Sequence, residues 1–132
     1  MQSLKYMISA FFVLLGFSLI ITRLHAVLYR REYSMKALAI EDHQTWADIS
    51  IILASLAVGL TEIFVRMNGG VQSPRLLALH LCFAIPFFTS LLVLRFVTPG
   101  TKRPVFHRRL AYACLASFAF TFVTGIMLLR HA

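Results

Sequence analysis

The run LLALHLCFAIPFFTSLLVLRFV, residues 76–97, contains no Asp, Glu or Lys, and its ionic and imidazole side chains are confined to His80 near one end and Arg95 near the other. A hydrocarbon core about 30 Å thick needs roughly 20 mostly apolar residues in a helix, and this stretch supplies them. Three further runs of near-spanning length lie at 6–22, 46–65 and 110–129. Inside lipid every backbone N–H and C=O must be satisfied within its own segment, which makes each run a helix. The chain reads as all-α, an integral membrane four-helix bundle forming a single transmembrane domain over 1–132.

Composition agrees. The chain is 59% hydrophobic and 14% charged with a mean hydropathy of +0.79, against roughly 45–50% and about 25% in soluble domains. A chain of this size cannot hide that much apolar surface in a water-soluble core, so the lipid bilayer is its first partner. The net charge of +8 sits in short bursts between the apolar runs, which is a topology signal and not the footprint of a nucleic-acid partner. There is no Gly-rich phosphate loop, no HExxH, no CxxC and no convergent acid, base and nucleophile set, so no catalytic residue is named and enzyme activity is not expected.

The connections follow from breakers and charge. Asn68, Gly69 and Gly70 lead to Pro74, a residue suited to the first turn of a helix, and residues 98–101 (TPGT) repeat the pattern before the fourth span. Lys5 followed by an apolar run resembles a secretory signal, but Arg23, His25, Arg30 and Arg31 stand where a small-residue cleavage site would be, so the first span reads as retained. Nine of the thirteen basic residues lie around the first and third connections: Arg23, Arg30, Arg31, Lys36, Arg95, Lys102, Arg103, Arg108 and Arg109. The positive-inside rule puts both connections in the cytoplasm and both termini outside. Leu24, Val27, Leu28, Met35 and Leu38 share a helical face, so the first connection either prolongs a helix along the interface or is a solvated loop. Cys82 and Cys114 fall at opposite depths, too far apart for a disulfide.

Ionisable residues within spans are costly and mark where function is sought. On the second helix Gln44, Asp48, Ser55, Gly59, Glu62 and Arg66 fall within about 40° of one line, a stripe expected to face protein or water. His107, Ala111, Cys114, Phe118, Thr121 and Gly125 form a comparable line on the fourth, where small residues allow close approach. Matched depth pairs Asp48 with Arg95 as a structural ion pair and Glu62 with His80 as a coupled hydrogen-bonded pair. Each pairing reads either as glue between helices or as proton handling or ligand binding.

Imidazole is the commonest nitrogen ligand for metals. His25, His43 and His107 fall at the cytoplasmic ends of helices one, two and four, and can converge on a metal or a haem iron. His80 lies roughly 20 Å from that layer and belongs to a second site or to none. His43, His80 and His107 are therefore candidate cofactor ligands, for haem b or copper. His25 and Glu62 are candidate metal-site residues, and Glu62 is also the carboxylate placed to orient His80. Each histidine has an equally ordinary structural reading, in which no cofactor binds.

Residues 76–129 carry a pattern of Leu79 and His80, Pro86, a basic connection, His107, Arg108, Arg109, Leu110, Ala111, and then Phe122, Val123, Thr124, Gly125. It resembles a family of small four-helix bacterial membrane proteins of uncharacterised function, linked to cytochrome oxidase assembly. The same rhythm resembles part of the haem-binding b-type membrane cytochromes. The likeness covers under half of the chain, and the long first connection departs from it. It implies His80 and His107 as metal or haem residues, the bacterial inner membrane as location and respiratory complex subunits as partners.

Two functions of different class remain. One is a redox-associated protein that handles haem or copper for respiratory complexes, or binds haem itself. The other is a non-catalytic accessory or assembly subunit whose polar residues only hold helices together, in its own bundle, a homo-oligomer or a larger complex. A transporter is disfavoured by the lack of an internal repeat, with Pro86 the single candidate helix break.

Overall fold

The computed structural model describes residues 2–31, 36–70, 73–97 and 104–131, with side chains throughout except at 28–31, 36–40, 104 and 131. The expected turn at 98–101, Met35, Lys102 and Arg103, and the side chains of Leu28, Arg30, Arg31, Lys36, Leu38 and His131 lie outside that description. The described residues form α1 (Gln2–Arg31), α2 (Lys36–Met67), α3 (Pro74–Leu92), a π-helix (Val93–Val97) continuing α3, and α4 (Pro104–His131). Four helical stretches, Gln2–Val27, Glu41–Met67, Pro74–Val97 and Val105–Arg130, are long and apolar enough to cross a membrane. This is the all-α, multi-pass bundle that the apolar runs require.

Of the two readings of the first connection, the structure takes the helical one. Helix α1 runs to Arg31 and α2 begins at Lys36, so both prolong well past the apolar runs that define their spans. The reason is local. Residues 23–31 contain no Gly or Pro, and Arg, Leu and Ala hold a helix as readily in an interface as in hydrocarbon. The second connection is short and made by glycine. Gly69 and Gly70 take φ values of +77° and +108°, conformations that residues with a Cβ rarely adopt. Asn68 N–H and Gly70 N–H bond Phe64 O and Val65 O, closing the end of α2. Ser73 then caps α3, its Oγ accepting from Leu76 N–H at 3.4 Å, with Pro74 in the first turn. Pro86 leaves α3 continuous.

The bundle is two tight antiparallel pairs, α1 on α2 and α3 on α4, with α2 and α3 touching over little of their length. The central core is Leu15, Leu19, Ala54, Phe87, Leu91 and Cys114, and a second cluster of Ile8, Phe64 and Leu129 closes the end nearer the α2–α3 turn. At Gly16 α1 faces α4 closely, the position of a Cβ there lying 3.4 Å from the Phe118 ring. The line expected on α4 does face inward: Cys114, Thr121 and Gly125 are buried, and His107, Ala111 and Phe118 half-buried. Cys114 and exposed Cys82 are both free thiols.

The stripe on α2 is a correction. Ser55, Gly59, Glu62 and Arg66 are exposed, and the buried face of α2 is the line Ser50, Ala54, Ala57 and Phe64. The stripe satisfies itself where it stands. Arg66 Nε donates to Glu62 at 2.7 Å one turn away, and Ser55 Oγ donates to Ile51 O at 2.9 Å. Such i,i+4 bonds neutralise polar groups on the helix's own surface. The inside was taken instead by the small residues that let α1 approach.

The close approach at Gly16 can be tested directly. Gly16→Ala is accommodated, whereas Gly16→Leu drives the side chain into Phe118 and destabilises the bundle by about 1–3 kcal/mol. Unfolding of the detergent-solubilised protein by sodium dodecyl sulfate, followed by circular dichroism, measures the difference.

Candidate functional site

The polar side chains gather in two layers, one at each end of the bundle. The first layer lies at the end that carries the chain's first and third connections. Here Thr22, Arg23 and His25 come from α1, Asp42, His43 and Asp48 from α2, Arg95 from the π-helix, and His107 and Tyr112 from α4. A π-turn is wider than an α-turn and is frequent at functional sites. This one brings Arg95 to Asp48, to which it donates twice, Nε to Oδ1 at 2.5 Å and Nη2 to Oδ2 at 3.0 Å. The fork-to-fork match fixes α2 against the end of α3. The same guanidinium lies 5.4 Å from the Phe96 ring centroid. Arg23 ties α1 to α4 by donating to Tyr112 Oη at 2.6 Å, with its guanidinium 4.8 Å from the same ring.

The histidines stand within this frame. His43 Nδ1 lies 3.0 Å from Thr22 O, and His25 Nδ1 lies 3.0 Å from Ile21 O. A carbonyl oxygen only accepts, so each Nδ1 carries the proton and each neutral ring keeps its lone pair on Nε2. That is how a metal-ligating imidazole is normally held. The His43 and His107 rings approach to 6.3 Å between centroids, tilted by 60°. The two rings are therefore neighbours across α2 and α4, close enough for one bound group to touch both. His25 is turned elsewhere, its Nε2 4.0 Å from Asp42 Oδ2. Among the described residues no three His, Cys, Asp or Glu side chains are placed to hold a metal ion together. The convergence of His25, His43 and His107 is thereby reduced to the pair His43 and His107. His43 and His107 are the residues that would hold a metal or haem here, through imidazole nitrogens.

The second layer lies nearer the α2–α3 turn. His80 is held not by Glu62 but by Thr124 of α4, with Nδ1 2.9 Å from Thr124 Oγ1. Glu62 sits at a matching depth but turns to Arg66, with its side chain 59% exposed. The expected Glu62–His80 pair fails on azimuth: α2 and α3 are splayed, while α3 and α4 are packed. Thr124 Oγ1 gives its single hydrogen to main chain, Phe120 O at 2.8 Å or Thr121 O at 3.2 Å. It therefore accepts from His80 Nδ1–H. Gly125 makes room, since a Cβ there would stand 3.4 Å from His80 Cε1. Thr124 is the residue missed from sequence. Counting turns back from the end of α4 puts it level with His80, a signal that was available.

Between the splayed helices lies a cavity of about 230 Å³ whose wall includes Ala54, Val58, Glu62, His80, Phe87 and Thr121. Comparison with protein-family models, with curated proteins and with solved structures finds no match to the chain. The fold and its two polar layers define the class: a small all-α bundle of helices long and apolar enough to span a membrane.

The partnership of His80 is the sharpest point to test. A double-mutant cycle of His80→Phe and Thr124→Val in unfolding titrations gives a coupling of about 0.6 kcal/mol and no more than about 1.7, the range of hydrogen bonds between membrane helices. Glu62→Gln leaves that coupling unchanged.

Proposed function

We propose that this chain is a small protein of the bacterial inner membrane that holds haem b or copper through His43 and His107, in the service of respiratory complexes. The observation that carries the reading is the approach of those two rings to 6.3 Å, with His43 held by the Thr22 carbonyl in the tautomer a ligand needs. A bound metal would supply one-electron chemistry. The protein's own part is to fix the rings: Thr22 sets the orientation of His43, and the Arg23–Tyr112 and Asp48–Arg95 ties hold α1, α2, α3 and α4 at one height. The basic residues around this end support a cytoplasmic location for it, with both termini outside.

A second reading has its own support. Among the described residues no buried side-chain nitrogen or oxygen lacks a partner, which is what an accessory or assembly subunit needs if its polar residues only hold helices together. Partner subunits of a respiratory complex, or further copies of this chain, would then cover its exposed apolar faces.

The deciding experiment is an oxidised and dithionite-reduced absorption spectrum of the detergent-purified protein, with metal analysis of the same sample. Under the first reading it shows a Soret band with α and β peaks, or about one copper per chain, and His43→Ala and His107→Ala each remove it. His25→Ala and His80→Ala retain it. A colourless, metal-free protein that remains so after incubation with hemin or cuprous ion overturns the first reading and leaves the accessory role.

A further inference from the structure

We propose that the cavity between α2 and α3 is a binding site for the ring of a lipid-soluble hydroquinone, with the ring hydroxyls donating to the protein. Size is the first argument. A dry cavity of roughly 150 Å³ lined by Leu, Ile and Phe takes up benzene, so the 230 Å³ here admits a substituted aromatic ring. Phe64 and Phe87, both buried, are among its lining residues and offer ring-to-ring contacts.

Access is the second argument. The wall includes Val58, 61% exposed on α2, and Leu81, 42% exposed on α3. The cavity thus opens sideways between two helices long and apolar enough to span a membrane, at the height of their spans. Glu62 lies about 7.5 Å from the end of α2 and His80 about 9 Å from the start of α3 at helical rise. A ligand enters from the bilayer, and an apolar tail can stay there.

The polar groups give the chemistry. Thr61 Oγ1 donates to Ala57 O at 2.7 Å, and Thr121 Oγ1 donates to Ser117 O at 2.8 Å. His80 has committed Nδ1–H to Thr124, so the neutral ring offers the Nε2 lone pair. Glu62 accepts from Arg66 through Oε1 and has a second oxygen, also an acceptor. Of the polar side chains around the cavity, only Ser73, which accepts from Leu76 N–H at the start of α3, keeps an uncommitted hydrogen. A site lined with acceptors selects a ligand with donors. A site built to hydrogen-bond a hydroxyl discriminates strongly against the analogue that lacks it. A hydroquinone has two such hydroxyls; the corresponding quinone has only carbonyls. The proposal concerns binding and includes no electron transfer, and it stands or falls separately from the role of His43 and His107.

The test is an anaerobic calorimetric titration of the purified protein in dodecyl maltoside, with a chelator present. Three probes of one shape are used: 2,3-dimethoxy-5-methyl-6-decyl-1,4-hydroquinone, its quinone and its dimethyl ether. The hydroquinone binds one per chain, at least tenfold more tightly than either of the others. His80→Phe, which keeps a ring but removes the acceptor, brings that preference below threefold. Ala84→Phe, which fills the cavity, abolishes binding of all three. Equal affinities for the three probes, or no saturable binding, overturn the proposal, as does a tenfold preference that survives His80→Phe. If either variant fails to fold by circular dichroism and gel filtration, the three-probe comparison on the unaltered protein decides.

Discussion

A polar group surrounded by hydrocarbon has no solvent to bond, so it must be satisfied by the chain itself. That constraint organises this bundle down to single hydrogens. Along its helices the hydroxyls donate to a carbonyl one turn back: Ser9 to Lys5, Thr22 to Ser18, Ser50 to Trp46, Thr61 to Ala57, Thr121 to Ser117 and Thr124 to Phe120. Once its hydrogen is spent, a hydroxyl becomes an acceptor, and a neighbouring helix can use it. Ser18 and Ser50 meet at 2.6 Å across α1 and α2, both essentially without exposure. His80 meets Thr124 across α3 and α4 in the same way. Each of the two tight helix pairs has such a bond, Ser18–Ser50 near the middle of α1 and α2 and His80–Thr124 toward one end of α3 and α4, with apolar packing around it.

The same constraint explains which parts of the structure could be read from sequence. The four spans were legible because length and apolarity act residue by residue and need no partner. The Asp48 and Arg95 contact was legible because both residues lie at one end and long side chains tolerate an error in azimuth. The stripe on α2 was not. Angular spacing shows that Gln44, Asp48, Ser55, Gly59, Glu62 and Arg66 share a face, but not that Glu62 and Arg66 satisfy each other in place and so need no interior. Depth matching paired Glu62 with His80 for a related reason: it fixes height and says nothing of which neighbour a helix leans on. That is set by the packing of whole helix faces, α1 on α2 and α3 on α4, which carries no polar signal. The helical first connection was open in the sequence because charged residues suit an interfacial helix and a loop equally.

The histidines show how far residue type alone leads. Three imidazoles at one end suggest a ligand set, yet backbone direction sends His25 toward Asp42 and leaves His43 facing His107. Two of the rings are oriented by carbonyls, at Ile21 and Thr22, and a third by a hydroxyl, at Thr124. In all three the partner fixes the proton on Nδ1. A fixed tautomer serves a structural histidine and a ligand histidine alike, so the tautomer alone separates neither; what differs is the company each ring keeps, and His43 is the one with a second imidazole, His107, beside it.

The two ends of the bundle therefore differ in the kind of chemistry they present. At the end with the first and third connections Arg23 and Arg95 are engaged by Tyr112 and Asp48, and the His43 and His107 rings are neighbours. At the other end the Thr61 and Thr121 hydroxyls donate to their own helices, the His80 imidazole donates to α4 and the Glu62 carboxylate accepts from Arg66, so the open space between α2 and α3 is bordered by lone pairs. Each of these groups already has one partner, and the lone pairs left over are acceptors that neither lipid tails nor the neighbouring Phe and Leu side chains can use. A ligand that brings both an apolar ring and hydroxyl donors would use those acceptors and fill the space between α2 and α3 together, which is the chemistry that distinguishes this end of the bundle from the imidazole end.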